Sequence, residues 1–216
     1  MISKNKMIIA FIMAGILASI ITFTPVTAAD WPMFHQNTDH TGFLIQPGDF
    51  SPTLWNFNTG DSIQSSPAIK DKTIFFGSNN GIIYAVNMED GSKVWEYQTE
   101  GAVVSSPCLV NDTLYVGSAD KYIYALNAAD GKLKWKYKTG DSIESSPSVV
   151  NGTLYVGSND KKIYAINAED GTLLWDYETG KSVKSSPNIF NGTLYVGSDD
   201  GIIYALGAQN GSLIWH

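Results

Sequence analysis

Five tryptophans stand at positions 55, 95, 135, 175 and 215, forty residues apart without slippage. Other marks keep the same register. Ser-Ser-Pro recurs at 65–67, 105–107, 145–147 and 185–187, Gly-Ser at 77–78, 117–118, 157–158 and 197–198, and Tyr-Ala at 84–85, 124–125, 164–165 and 204–205. Four copies with no insertion restrict the chain to a solenoid, a propeller or an array, because one such unit cannot bury its own apolar face.

The contents of one copy decide among these. Ser146 to Val150 is short and apolar, and Asn151-Gly152 after it is the strongest two-residue hairpin signal. Thr153 to Gly157 follows, then a polar turn over Ser158–Lys161, a second apolar run from Lys162 to Asn167, and a turn at Glu169-Asp170-Gly171. Leu173 to Thr179 completes four strands, and no stretch has the length or period of a helix of about ten residues. Helical repeats are excluded.

Patterning then orders the strands. Leu154, Tyr155 and Val156 are apolar on successive residues, as in a strand covered on both faces. Trp95-Glu96-Tyr97-Gln98-Thr99 alternates, as in an outer strand with one wet face. Four-stranded sheets with such middles and edges are propeller blades standing face to face. The expected fold class is all-β: a β-propeller of about four four-stranded antiparallel blades. The blades fall at about 60–99, 100–139, 140–179 and 180–216. Residues 53–59 form an outer strand with no blade ahead of it. Trp55, Trp95, Trp135, Trp175 and Trp215 are expected to dock each blade on its neighbour.

The N-terminus is separate. Lys4 and Lys6 precede an apolar run from Met7 to about Phe23, and Val26-Thr27-Ala28-Ala29 ends in small residues, the layout of a secretory signal peptide. The rival is an uncleaved anchor, for which Met7–Ile21 is short against a span of roughly 20 residues. The expected division is a signal peptide over 1–29 and a propeller over 30–216, placed outside the cytoplasm: periplasmic, surface-bound or secreted. Without residues 1–28, twelve lysines face 21 acids, a net charge of −9. There is no arginine. Nucleic acid is therefore not an expected partner, and neither is an anionic lipid surface; contact with a membrane would come only through an uncleaved anchor. Cys108 is the single cysteine, so no disulfide forms within the chain and no cysteine-based zinc site exists. It sits in an apolar run and is expected to act as a small hydrophobe.

The stretch Ala85-Val86-Asn87-Met88-Glu89-Asp90-Gly91-Ser92-Lys93-Val94-Trp95, with its equivalents ending at Trp135, Trp175 and Trp215, resembles the tryptophan-docking motif of PQQ-like (pyrroloquinoline-quinone-like) propellers, Ala-x-Asp-x-x-Thr-Gly-x-x-x-Trp. Asn87, Asn127 and Asn167 replace the motif's Asp, and Asp90, Asp130 and Asp170 its Thr; each keeps a short polar turn residue. The last copy departs further, with Gly207 and Asn210. Trp31-Pro32-Met33-Phe34 with Thr41-Gly42 is similar to the N-terminal segment of such proteins. Trp175-Asp176 spells the WD40 dipeptide, but Trp95-Glu96, Trp135-Lys136 and Trp215-His216 do not.

The resemblance implies two function classes. One is a quinoprotein dehydrogenase, whose eight blades enclose a quinone held with Ca²⁺, an Asp base and a disulfide of adjacent cysteines. This chain has one cysteine, no arginine for quinone carboxylates and half the blades. The other is a non-catalytic binding or scaffold propeller at the cell envelope. That class is the expectation, with no catalytic, cofactor or metal residues. Its partner would be another protein or envelope component, with self-association through open blade faces also expected. The Asp-Gly turns lack the alternating ligands of a calcium loop, and His35 and His40 beside Asp30 and Asp39 match no ligand spacing. Asn111, Asn151, Asn191 and Asn210 begin glycosylation sequons, but three of them fall where the repeat needs a hairpin turn.

Strand order places loops 4–1 and 2–3 on one face of the ring and loops 1–2 and 3–4 on the other. The 1–2 turn is nearly uniform in the last three copies, Asn-Asp, Asn-Gly and Asn-Gly, whereas the first face varies. Binding differences are expected where repeats diverge. The candidate ligand face is Asp61, Gln64, Asn79, Asp141, Glu144, Asn159, Lys161, Lys181, Lys184 and Asp199. In a complete propeller of seven or eight blades, an N-terminal outer strand would finish the last blade. Four blades leave three outcomes: a tight ring closed by residues 54–59, an open arc, or two chains exchanging strands. The open arc is the expectation.

Overall fold

A computed structural model describes residues 54–216. The signal peptide, His35, His40 and the Trp31–Gly42 segment lie outside the described residues. Sixteen strands form four antiparallel sheets, each in simple sequence order. Blade one holds β1 (Ala68–Lys70), β2 (Thr73–Gly77), β3 (Ile82–Asn87) and β4 (Lys93–Gln98). Blade two holds β5 (Cys108–Val110), β6 (Thr113–Gly117), β7 (Tyr122–Asn127) and β8 (Leu133–Lys138). Blade three holds β9 (Ser148–Val150), β10 (Thr153–Gly157), β11 (Lys162–Asn167) and β12 (Leu173–Glu178). Blade four holds β13 (Asn188–Phe190), β14 (Thr193–Gly197), β15 (Ile203–Gly207) and β16 (Leu213–Trp215).

Local chemistry sets the turns. Asn111, Asn151 and Asn191 take φ of 53°, 50° and 49° between the first two strands of their blades, and Gly152 and Gly192 follow at 76°. Such left-handed pairs match the twist of a hairpin and suit Asn and Gly. In blades two and three the middle strands are covered on both faces, and in β4, β8 and β12 exposed residues alternate with more buried ones from the second residue on.

The core lies between blades. One apolar cluster joins blades one and two, a second joins two and three, and a third joins three and four. At each junction a side chain entering one blade fills a hole in the blade before it. Val103, Ile143 and Val183 are fully buried. They press on Gly77, Gly117 and Gly157, where an added Cβ would lie 2.2, 2.3 and 2.4 Å from their methyl groups. The tryptophans make the outer tie. Trp95, Trp135 and Trp175 Nε1 donate to the carbonyls of Ala128, Ala168 and Ala208 at 2.8, 3.0 and 3.0 Å, each one blade ahead. Each indole covers a left-handed glycine, Gly131, Gly171 or Gly211.

The ring is open: among the described residues no core cluster, ring contact or hydrogen bond joins blade four to blade one. Its two ends differ, where two bare faces would be the simple expectation. Trp55 donates to Met88 O at 3.0 Å and covers Gly91, as the internal tryptophans do. Phe57 meets Tyr84 and Phe76 edge-on at 5.2 and 6.1 Å. The 54–59 segment thus covers the first face without pairing into a sheet. Among the described residues nothing covers blade four in this way: Phe190, Ile203 and Trp215 are 61%, 60% and 49% exposed.

Candidate functional site

The face bearing the 4–1 and 2–3 loops is built on a frame repeated in all four blades. Backbone N–H groups of Asn79, Ala119, Asn159 and Asp199 donate to the carbonyls of Ser62, Ala102, Ser142 and Ser182. Thr99, Thr139 and Thr179 are buried, and each hydroxyl reaches the carbonyls on both sides of its loop, as Thr139 does to Lys121 (3.0 Å) and Asp141 (2.7 Å). The Asp120, Asp160 and Asp200 carboxylates accept the N–H groups of Glu100, Gly140 and Gly180. They also accept the hydroxyls of Tyr124, Tyr164 and Tyr204 at 2.7, 2.6 and 2.8 Å. These acids are therefore committed to holding the loops.

Above the frame stand the side chains that differ between copies. Lys184 lies between Glu144 (3.9 Å) and Asp199 (3.7 Å), all three about half exposed. Asn159 Nδ2 donates to Ser142 Oγ and to Glu144 Oε1, both at 2.8 Å. Asn79 donates to Ser62 Oγ at 2.7 Å. The Oδ1 atoms of Asn79 and Asn159 are buried without a partner. Asp141 pairs with Lys121 at 3.5 Å, a lysine outside the expected set. Asp61 holds its own loop through the Ser62 N–H, and Gln64 is exposed. Lys161 has φ of 76° where blades one and four carry glycine, and Lys181 lends its carbonyl to Thr179 and Ser198. The structure thus joins Glu144, Asn159, Lys184 and Asp199 into one group and leaves the other expected residues spread along the arc.

Two clefts lie on the opposite face, which sequence comparison passed over. One of about 460 Å³ lies between blades two and three, lined by Asn111, Tyr115, Lys134, Val149 and Glu169. Another of about 620 Å³ lies between blades three and four, lined by Tyr155, Ile189, Asn191 and Gln209. Both follow from uniform hairpin turns, so a search for divergent positions has nothing to detect there.

A quinone with its calcium does not fit this donor set. The loop carboxylates are occupied by backbone and tyrosine donors, and no three His, Cys, Asp or Glu side chains converge among the described residues. Cys108 is no nucleophile either. Burial pushes its thiol up to about 12, against an ordinary value of 9.0. In the folded protein it should stay inert to a thiol reagent at pH 8 and react on unfolding. Burial, then donation to Asp120 and Asp160, likewise raises the Tyr124 and Tyr164 hydroxyls above their ordinary 10.0. A folded value above the unfolded one gives stability that is complete below the unfolded value and lost as pH rises through the folded one. Stability should therefore hold to about pH 9 and fall steadily beyond it; a flat denaturation midpoint from pH 8 to 11.5 would contradict these assignments.

A family model described as outer membrane protein assembly factor BamB matches residues 51–146 and 140–216. No curated protein matches the chain in sequence. Among solved structures, BamB from Moraxella catarrhalis is similar at TM-score 0.68 and 21% identity, over 74% of this chain and 53% of that one. Quinohemoprotein alcohol dehydrogenase from Comamonas testosteroni is similar at TM-score 0.75 and 18% identity, over 87% of this chain and 41% of that one. The computationally designed Ika4 protein matches at TM-score 0.64 and 15% identity, over 74% of this chain and 99% of that one. At these identities the likeness is one of fold. The chain spans about half the length of the Moraxella protein and two fifths of the dehydrogenase.

Proposed function

The chain belongs to the PQQ-like repeat family whose model carries the description outer membrane protein assembly factor BamB, and on that premise we propose that it is an exported, non-catalytic scaffold propeller of the cell envelope. Residues 1–29 would direct export, and 30–216 would bind a protein partner through the 4–1 and 2–3 loop face. One observation carries this reading. On a loop frame whose backbone bond recurs in four blades, the divergent side chains Glu144, Asn159, Lys184 and Asp199 form a charged group that the frame does not use.

Capture of envelope proteins on the purified chain tests it, with Lys184→Glu as the comparison. Exposed ion pairs contribute roughly 0–1 kcal/mol, so the variant should fold normally. Charge reversal on a binding rim should weaken capture about tenfold. Undiminished capture would place the partner elsewhere, and the grooves at Asn111 and Asn191 would be next. The likeness to quinoprotein dehydrogenases motivates a second reading, a cofactor-dependent enzyme. Adding pyrroloquinoline quinone and Ca²⁺ separates the two. On the scaffold reading the melting temperature does not move; a saturable rise would favour the enzyme.

A further inference from the structure

The motif that the proposed function leaves unused is the sequon of the 1–2 turn. Asn111-Asp112-Thr113, Asn151-Gly152-Thr153 and Asn191-Gly192-Thr193 each give the Asn-x-Thr order at which an oligosaccharide is joined to exported chains, and none has proline at x. The hairpin accounts for part of that pattern. Asn111, Asn151 and Asn191 are left-handed, at φ of 53°, 50° and 49°, a region that suits asparagine, aspartate and glycine. Blade one shows how much the turn asks for. There Asp71 takes φ of 47° at the same position, and Thr73 begins β2 as Thr153 begins β10. A carboxylate therefore serves the turn as well, and the backbone does not require the amide.

The other repeated asparagines do structural work with their side chains. Asn87, Asn127 and Asn167 accept the N–H groups of Glu89, Ala129 and Glu169 on Oδ1 at 2.7, 2.8 and 2.9 Å, which shapes the 3–4 loop. Asn210 opens a fourth sequon, Asn210-Gly211-Ser212. Its Oδ1 accepts the Ser212 N–H at 3.1 Å, as Asp90, Asp130 and Asp170 accept the N–H two residues ahead. That fourth motif is thus a product of the loop. By contrast, the side chains of Asn111, Asn151 and Asn191 make no hydrogen bond among the described residues, and all three are exposed.

Access follows from the turn itself. Asn111 and Asn151 stand in blades two and three, which have a blade on each side, so their exposure does not come from an end of the arc. A Cβ added at Gly152 or Gly192 would meet nothing within 4 Å, which leaves room beside the amide for a bulky group.

We infer that Asn111, Asn151 and Asn191 are N-glycosylated, an inference that rests on the export proposed above. The donor is an oligosaccharide linked through phosphate to a polyisoprenoid lipid. Asn Nδ2 forms a bond to the anomeric carbon of the sugar, and the bond from that carbon to the phosphate oxygen breaks. The lipid phosphate leaves with the bonding pair, and the amide gives up one proton. Asp71 has no amide nitrogen and stays unmodified. Asn111 and Asn151 both line the groove between blades two and three, and Asn151 and Asn191 that between three and four. Sugars at these positions cover the grooves and sheathe the 1–2 face, because they are bulky and hydrated. The 4–1 and 2–3 loops then remain as the open face for a partner.

The full chain, recovered from the extracytoplasmic fraction of its own cells, should carry one oligosaccharide on each of Asn111, Asn151 and Asn191, read by intact mass and peptide fragmentation. Asn151→Asp copies the turn of blade one and should remove one oligosaccharide with no change in circular dichroism. Thr153→Ala keeps the amide but removes the hydroxyl of the sequon, and should lose the same oligosaccharide; Thr153→Ser should keep it. Sugar that persists at position 151 in Thr153→Ala would overturn the assignment to the sequon. An exported chain with all three asparagines unmodified would overturn the inference and leave the export reading standing. An unmodified chain confined to the cytoplasm would overturn both.

Discussion

Replacing Trp95 by alanine should destabilise the protein by about 3–5 kcal/mol, the usual cost of removing a large buried aromatic. Three contacts are lost together. The indole is 8% exposed, lies over Gly131 of the next blade, and donates to Ala128 O at 2.8 Å. Its loss also strands that carbonyl between two sheets. Trp135 and Trp175 make the same bonds but are only partly buried, so their truncation should fall at the lower end of that range. Trp215 holds the same place in the repeat but docks on no other blade among the described residues and is 49% exposed. Trp215→Ala should therefore cost under about 1 kcal/mol, as surface substitutions do. Urea unfolding followed by circular dichroism measures all four. Equal losses at positions 95 and 215 would mean that the indole works within its own blade, and the docking account would fail.

That contrast shows what the sequence could and could not disclose. Strand number, order and turn positions were legible because each is a local matter, written four times over: Asn-Gly for the hairpin, apolar runs for the covered strands, alternation for the outer one. Relations between blades were legible only where the motif itself carries them, as with Trp95 over Gly131. In the sequence each Gly-Ser pair is only a repeated mark at the end of an apolar run. The structure makes Gly77, Gly117 and Gly157 holes for side chains 26 residues further on, a pairing no local pattern announces. Lys121 and Lys161 were candidates for ligand contact by their variability alone or were passed over. Both hold left-handed backbone, at φ of 79° and 76°, where a sister copy has Gly. On the candidate face, variability put Glu144, Asn159, Lys184 and Asp199 in one set with Asp61 and Gln64 and could not separate them. Only blade geometry does so. The grooves opposite were invisible for the converse reason: their turns do not vary.

Glycine substitutions should separate backbone strain from interblade crowding, and the second of them has the other large effect expected of this fold. Gly152 sits at φ of 76° with nothing within 4 Å of an added Cβ. Gly152→Ala therefore meets strain alone, about 1–2 kcal/mol for a left-handed L residue. Gly131 has nearly the same backbone, φ of 70°, but its added Cβ would lie 2.8 Å from the Trp95 ring atoms Cδ2 and Cε3. The ring cannot retreat without giving up its bond to Ala128 O, so overpacking adds about 1–3 kcal/mol to the strain. Gly131→Ala should then cost about 2–5 kcal/mol, close to the loss of the tryptophan itself. The two changes act on one contact and cannot add. In a Trp95→Ala background the ring is gone, the crowding vanishes, and Gly131→Ala should revert to the cost seen at Gly152. A double-mutant cycle should thus show a coupling of about 1–3 kcal/mol between positions 95 and 131. Full additivity would mean that the glycine is needed for its backbone alone, and that the tryptophan does not depend on the hole beneath it.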